Sequence, residues 1–281
     1  MKNLLPTTAI PTSDHLWERL YHGEVFLLPA NPASLRAAEA INALLVEVFG
    51  DNPREVHTRL DDRAFFEGTG YIRRVLFYDR HFHALTREVI AAAGFDPDEV
   101  AYDPMRLRAI KHDGHSNPRA SPVYYAHRDT WYGHPQSMVT WWIPLDDLDT
   151  HETFVFYPAF FAREVPNDSE IFDYRDWIKE GPDLRIGWQQ RDAGLTARYP
   201  QVTEVFDPGP ELGFSCQRGQ NLLFAGSQFH RTLPQDSGLT RFSVDFRLVH
   251  LGHHASGLGA PNADNRSRGS ALKDYIQPAA T

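Results

Sequence analysis

Two histidines, an aspartate, an arginine and a serine have the types and spacing to build one reactive site. His127-Arg128-Asp129 is an H-x-D pair. On an extended chain, residues two apart project to the same side, so an imidazole and a carboxylate would stand together. His230 lies far downstream, and Arg241-Phe242-Ser243 repeats the two-residue spacing with a cation and a hydroxyl. Two histidines and one carboxylate form the facial triad that holds non-haem Fe(II) and leaves coordination positions open. An Arg-x-Ser face suits a carboxylate, which a guanidinium grips in two places while a hydroxyl adds a hydrogen bond.

These residues need a scaffold that brings distant segments to one interior. Residues 240–249 alternate strictly: Arg241, Ser243, Asp245 and Arg247 share one face, and Phe242, Val244, Phe246 and Leu248 share the other. A strand polar on one side and apolar on the other fits a cavity wall that binds an anion, with Asp245 and Arg247 paired deeper in. Further strands are expected over 123–129, 138–145, 153–157, 220–224 and 229–233, and in the first part of the chain over 24–28 and 106–112. A helix is expected over 33–49, with Asn31 as cap, Pro32 in its first turn and Gly50 as stop, and with Leu35, Ile41, Leu44, Leu45 and Val48 near helical spacing. A second is expected over 80–93, closed by Gly94. Helices followed by a series of strands predict a mainly β protein with flanking helices, its core a jelly roll or double-stranded β-helix of the cupin kind.

One domain of 281 residues accommodates this plan. Residues 1–120 give helical support and the first strands, and 121–250 give the jelly-roll core. The polar, Pro- and Asp-containing stretch 162–215 is an insertion expected to cover a mouth as a lid, and 251–281 an extended tail over the barrel. Hydrophobic residues at 42% and charged ones at 23% are ordinary for a globular chain. The net charge of −9, without a basic run, argues against nucleic acid as partner. The single Cys216 excludes an internal disulfide and a cysteine-based zinc or cluster site. Leu4-Leu5 is cut short by Pro6, too brief for a signal-peptide core, and no run reaches the length of a membrane span, so a cytoplasmic protein is expected.

The pattern His230-Arg231-Thr232, Gln235, Ser237, Arg241, with His127 and Asp129 followed closely by Trp131 and Tyr132, resembles the phytanoyl-CoA dioxygenase-like branch of the Fe(II)/2-oxoglutarate oxygenases. The resemblance spans residues 105–250. It departs over 151–161, which lacks the Asn-Gly turn and Gly-Ser-His ending common in those enzymes, and that leaves the substrate class open. The resemblance implies Fe(II) on His127, Asp129 and His230, and 2-oxoglutarate with its far carboxylate on Arg241 and Ser243. It turns Thr140 and Trp142 toward that co-substrate, the first as a hydrogen-bond donor and the second as a wall. Tyr125, Trp131, Tyr132 and Arg247 are candidates for the substrate pocket. The implied reaction uses O2 to hydroxylate an unactivated C–H bond of a small metabolite, such as a natural-product intermediate, with desaturation or ring formation open to the same oxidant. Related halogenases have a small residue where this chain has Asp129, so chlorination is not expected. Two other readings stay open on sequence: an oxygenase that dispenses with 2-oxoglutarate and uses Arg-x-Ser on its substrate, and a jelly-roll binding protein with a purely structural metal.

Overall fold

The computed structural model describes residues 5–6, 13–180 and 199–278. Four helices come first: α1 (Ser13–Tyr21), α2 (Pro32–Phe49), α3 (Asp62–Tyr78) and α4 (Arg80–Ala92). Local chemistry fixes α2. The Asn31 side chain accepts hydrogen bonds from the Ala33 and Ser34 amides at 3.0 Å each, and Ser34 Oγ accepts in return from the Asn31 amide, a reciprocal capping box. Gly50 ends the helix at φ 77°, a left-handed conformation that costs glycine little. Its buried stripe includes Ala37, Ala38, Ile41, Leu44 and Leu45, whereas Leu35, expected in the stripe, stands 43% exposed. The α4 helix follows its expected bounds closely. The α1 and α3 helices were not expected, and the helical share is larger than a mainly β chain implies.

The strands are β1 (Leu5–Pro6), β2 (Phe26–Leu28), β3 (Val100–Tyr102), β4 (Arg106–Ile110), β5 (Met138–Pro144), β6 (Phe154–Phe156), β7 (Asn221–Ala225), β8 (His230–Thr232) and β9 (Arg241–His250). Seven form a large sheet in the order β1-β2-β7-β5-β9-β3, with β4 also paired to β9. Every pairing is antiparallel except β1 with β2. A second sheet pairs β6 with β8. The two sheets meet through Leu27, Trp142, Leu222 and Phe224 of the large one and Phe154 and Phe156 of the small one. On its other face the large sheet carries the helices. Phe242, Val244, Phe246 and Leu248 of β9 join Ile41, Leu45, Ile72 and Val89 in the main core.

Strand β9 therefore has no face in water. Its alternation separates an apolar layer under the helices from a polar layer turned to the space between the sheets. One expected strand is missing: residues 123–129 do not form one. Pro118–Tyr124 is a 3₁₀ turn containing Pro122, which has no amide to give to a ladder, and Asp129–Tyr132 is a second 3₁₀ turn. A short α5 (Tyr174–Glu180) lies in the insertion, and α6 (Leu251–Ala255) begins the tail. Of the expected lid, residues 181–198 lie outside the described residues. No helix among the described residues is long and apolar enough to cross a membrane.

The Phe242 ring stacks on Phe49 of α2 at 6.0 Å and is wholly buried. Phe242→Ala should lower the unfolding free energy by about 3–5 kcal/mol in urea titration. A loss under about 1 kcal/mol would mean that β9 and α2 do not share a core.

Candidate metal centre

His127 and His230 face each other across an isolated antiparallel bridge. The His127 amide donates to the His230 carbonyl at 2.9 Å, and the His230 amide donates back at 3.0 Å. Direct backbone pairing puts both imidazoles on one side, with ring centroids 4.5 Å apart. Each ring is locked the same way. His127 Nδ1 donates to the Tyr125 carbonyl at 2.7 Å, and His230 Nδ1 donates to the Gln228 carbonyl at 2.9 Å. A carbonyl can only accept, so the proton sits on Nδ1 and the Nε2 lone pair is free for a cation.

Asp129 completes the set. Arg128 is extended (φ −111°, ψ 140°), so the two-residue alternation holds locally and Asp129 falls on the His127 side. Asp129 Oδ1 lies 3.5 Å from His127 Nε2 and 4.0 Å from His230 Nε2. The three ligand atoms lie within 4.8 Å of one another. Adjacent ligands at right angles on metal bonds of about 2.1 Å stand about 3 Å apart, so the donors need only draw in by about 1 Å or less. Burial alone would raise the Asp129 carboxyl, but the neighbouring His127, His230 and Arg247 hold it well below the usual carboxylate range. Burial and His127 push His230 down to about 4. An ionised Asp129 and a neutral His230 are donor states that a divalent cation can take.

The support around the triad comes from far along the chain. Thr140 of β5 donates to Asp129 Oδ2. Its hydroxyl is thus committed to the metal carboxylate and not to a co-substrate, as the sequence had suggested. Arg128 points away from the triad and is 1% exposed. Its Nε meets both carboxylate oxygens of Asp264 at 2.9 and 3.0 Å, and its other nitrogens reach the carbonyls of Phe160, Phe161, Arg163 and Ser227. Asp264 also accepts from Trp131 Nε1 at 2.8 Å and from the Val165 amide at 2.9 Å.

Trp131 is therefore a correction to the expected pocket. It is fully buried against Phe229 and tied to Asp264. Asp129–Tyr132 is a 3₁₀ turn, in which side chains three apart eclipse, so Tyr132 and not Trp131 follows Asp129 to the metal side. The Tyr132 ring meets His127 edge-on at 5.5 Å. Tyr125 contributes its carbonyl to His127, and its side chain is half-buried. Arg247 is a second correction. It does not pair mainly with Asp245 or stand free for substrate: its Nη1 lies 3.1 Å from Asp103 Oδ2, and its amide donates to Asp103 Oδ1. Asp245 instead accepts from Arg108 Nε at 2.6 Å. The partnerships of Asp103 with Arg247 and of Asp264 with Arg128 carry no local signal in sequence, because each spans more than a hundred residues.

Arg241 crosses the interior from β9 to the small sheet, where its Nη1 stands 3.4 Å from the Glu152 carbonyl. It is 2% exposed, its Nε has no partner, and no carboxylate among the described residues pairs with it. Burial pushes its guanidinium down to about 10. Trp142 lies beside it at 6.0 Å and donates its indole proton to Ser243 Oγ at 2.9 Å. The intervening residues set this position. Gln235 donates to Ser237, Ser237 to Glu152, and Arg54 binds both Glu152 and the Thr240 carbonyl.

No protein-family model matches the chain, and no curated protein matches it. Among solved structures, EvdO2 from Micromonospora carbonacea var. aurantiaca is similar at 13% identity and a TM-score of 0.50, over 87% of this chain and 94% of that one. The chain shares the EvdO2 fold. EvdO2 complexed with 2-oxoglutarate aligns over the same shares at 13% identity, with a TM-score of 0.49. The non-heme alpha ketoglutarate dependent carbocyclase SnoK from nogalamycin biosynthesis aligns at 13% identity over 92% of this chain and 96% of its own, with a TM-score of 0.42.

Removing Asp264 strands a buried guanidinium. Asp264→Ala should cost about 3–5 kcal/mol of stability. It should also weaken Fe(II) or Co(II) binding in equilibrium titration, although residue 264 touches no metal. Unchanged stability and metal affinity would contradict the role given to the Arg128–Asp264 pair.

Proposed function

We propose that this protein is a non-haem Fe(II)- and 2-oxoglutarate-dependent oxygenase that hydroxylates an unactivated C–H bond of a small metabolite. We further assign its two packed sheets to the double-stranded β-helix of the phytanoyl-CoA dioxygenase-like branch. The observation that carries the reading is the pairing of a preformed His127–Asp129–His230 triad with Arg241, an interior cation lacking an anion among the described residues. An uncompensated buried charge is costly, and the distal carboxylate of 2-oxoglutarate supplies the missing partner. A purely structural metal site would have no need of that cation. EvdO2, whose fold this chain shares, has been solved with 2-oxoglutarate, in keeping with this reading.

Each residue then has a task. His127, Asp129 and His230 hold the iron on one face, and Thr140 keeps Asp129 turned toward it. Arg241 grips the far carboxylate in bidentate fashion. Ser243 Oγ already accepts from Trp142, so its own proton is left to donate to that carboxylate. With iron and 2-oxoglutarate bound, the site supplies the oxidant for C–H cleavage, and the co-substrate ends as succinate and carbon dioxide. Asp129 occupies the position a halide would need. Tyr132 forms a wall beside His127, backed by Phe172 at 5.5 Å and Tyr199 at 6.5 Å from the insertion, and Tyr199 packs on Trp177 of α5 at 5.2 Å. This aromatic stack supports reading the described parts of the insertion, 162–180 and 199–215, as a cover that keeps water from the reacting centre.

Anaerobic addition of Fe(II) and 2-oxoglutarate should give a weak visible charge-transfer band, and oxygen uptake should require 2-oxoglutarate. Asp129→Ala should abolish succinate formation and weaken iron binding; parental succinate production by that variant would refute the assignment. Arg241→Met removes the charge at similar volume. It should leave ligand-free melting unchanged or higher while raising the 2-oxoglutarate requirement about 10- to 100-fold, the worth of hydrogen bonds to a charged group. Oxygen uptake indifferent to 2-oxoglutarate would point to an enzyme that places a substrate carboxylate on Arg241.

A further inference from the structure

Two further arginines, Arg108 of β4 and Arg73 of α3, meet the β4 edge of the large sheet. Strand β4 pairs with β9 so that Arg108 lies opposite Ser243 and Arg106 opposite Asp245. Arg108 spends only its Nε, on Asp245 Oδ2, and its side chain remains 37% exposed. Its two terminal nitrogens have no partner among the described residues. Arg73 approaches the same place from α3. Its Nε donates to the Leu107 carbonyl at 3.0 Å, on the outer edge of β4 and one residue from Arg108. That bond leaves both terminal nitrogens of Arg73 without a partner among the described residues, half-buried in a crevice. Asp103 and Asp245, the carboxylates of this region, serve Arg106, Arg108 and Arg247, and none pairs with Arg73.

Two guanidinium groups thus lie near enough to repel, with their terminal nitrogens uncommitted among the described residues. Burial and the adjacent Arg108 charge together push Arg73 down to about 10. Like charges placed this close repel unless an anion lies between them, and paired donor edges match the oxygens of a carboxylate or phosphate. The site also neighbours the candidate metal centre. Arg108 lies near enough to Tyr132 and Tyr199 to bear on both electrostatically, and Tyr132 packs on His127. The Tyr132–Tyr199 pair offers ring surface in contact with His127 and within the electrostatic reach of the arginines.

We propose that Arg73 and Arg108 form an oxyanion clamp distinct from Arg241, and that the substrate is an organic anion whose charged end rests on this clamp while its carbon body lies against Tyr132 and Tyr199. Oxidation of that body rests on the oxygenase reading; anion binding does not. The clamp selects molecules bearing a carboxylate or phosphate at one end and fixes which carbon reaches the metal, because the anchored end sets the distance.

Calorimetric titration of the full-length, metal-free chain with phenyl phosphate and with benzoate tests this, with 2-oxoglutarate as a third ligand. At least one aromatic anion should bind, about tenfold more weakly in Arg73→Gln and in Arg108→Lys, and with unchanged affinity in Arg241→Met. Arg73→Gln keeps a donor for the Leu107 carbonyl and Arg108→Lys keeps a cation for Asp245, so both should melt at the parental temperature. The tighter of the two probes identifies the anion as phosphate or carboxylate. Failure of both probes to bind, equal binding by the parent and both clamp variants, or a loss confined to Arg241→Met would each overturn the clamp. 2-Oxoglutarate should show the reverse pattern, weakened by Arg241→Met alone. If it ignores Arg241 while the aromatic anions obey Arg73 and Arg108, the co-substrate assignment falls and the clamp stands.

Discussion

The ion pair between Arg128 and Asp264 is the constraint on which the centre depends. Arg128 is the residue between two of the three metal donors, so whatever fixes its side chain fixes theirs. It is buried, meets both oxygens of Asp264, and also gathers backbone carbonyls from 160, 161, 163 and 227. One guanidinium thereby fastens the His127 segment to the insertion, to the loop before His230 and to the tail. A neutral side chain could fill the volume but could not address so many acceptors at once. The pair gives little stability of its own, since two charges have been taken from water to form it. Its contribution is geometric.

Strand β9 divides the molecule into a half that stabilises and a half that carries the candidate site. Its apolar face packs under α2 and the other helices, where burial supplies the driving force. Its opposite face carries Arg241, Ser243, Asp245 and Arg247 into the space between the sheets, where isolated charges are unfavourable. Asp245 and Arg247 are compensated within the chain, whereas Arg241 is not. Natural sites often keep such a cost where function requires it, and the large outer core is what tolerates it.

The parts legible in sequence are those whose cause is local. Asn31, Pro32 and Gly50 fix the bounds of α2, and strict alternation fixes β9 and the orientation of Arg241. The donors His127, Asp129 and His230 were identifiable by type and spacing, yet the expected reason was incomplete. A strand over 123–129 would have aligned His127 and Asp129; instead 3₁₀ turns occupy both ends of that stretch, and one extended residue beside a single backbone bridge gives the same result. Trp131 and Tyr132 were both candidates for the pocket as aromatics flanking the metal ligands, and only the three-residue period of the turn separates them. Thr140, Asp103 and Asp264 were illegible in their roles, since a hydroxyl or carboxylate shows nothing in sequence of a partner brought to it by folding. The extra helices were missed because the apolar spacing of α1 and α3 is interrupted by charged residues and, in α3, by Gly68 and Gly70.

The position of Asp264 has a consequence for how the chain acquires its metal. During synthesis all three donors have left the ribosome once residue 230 is clear, but the carboxylate that locks the segment between the first two emerges only later. Until then Arg128 has no counter-ion and the donors no fixed arrangement. A cation would therefore meet ordered donors only once the tail has closed over the sheets, and a polypeptide stalled before that point would present histidines without the lock that Asp264 supplies.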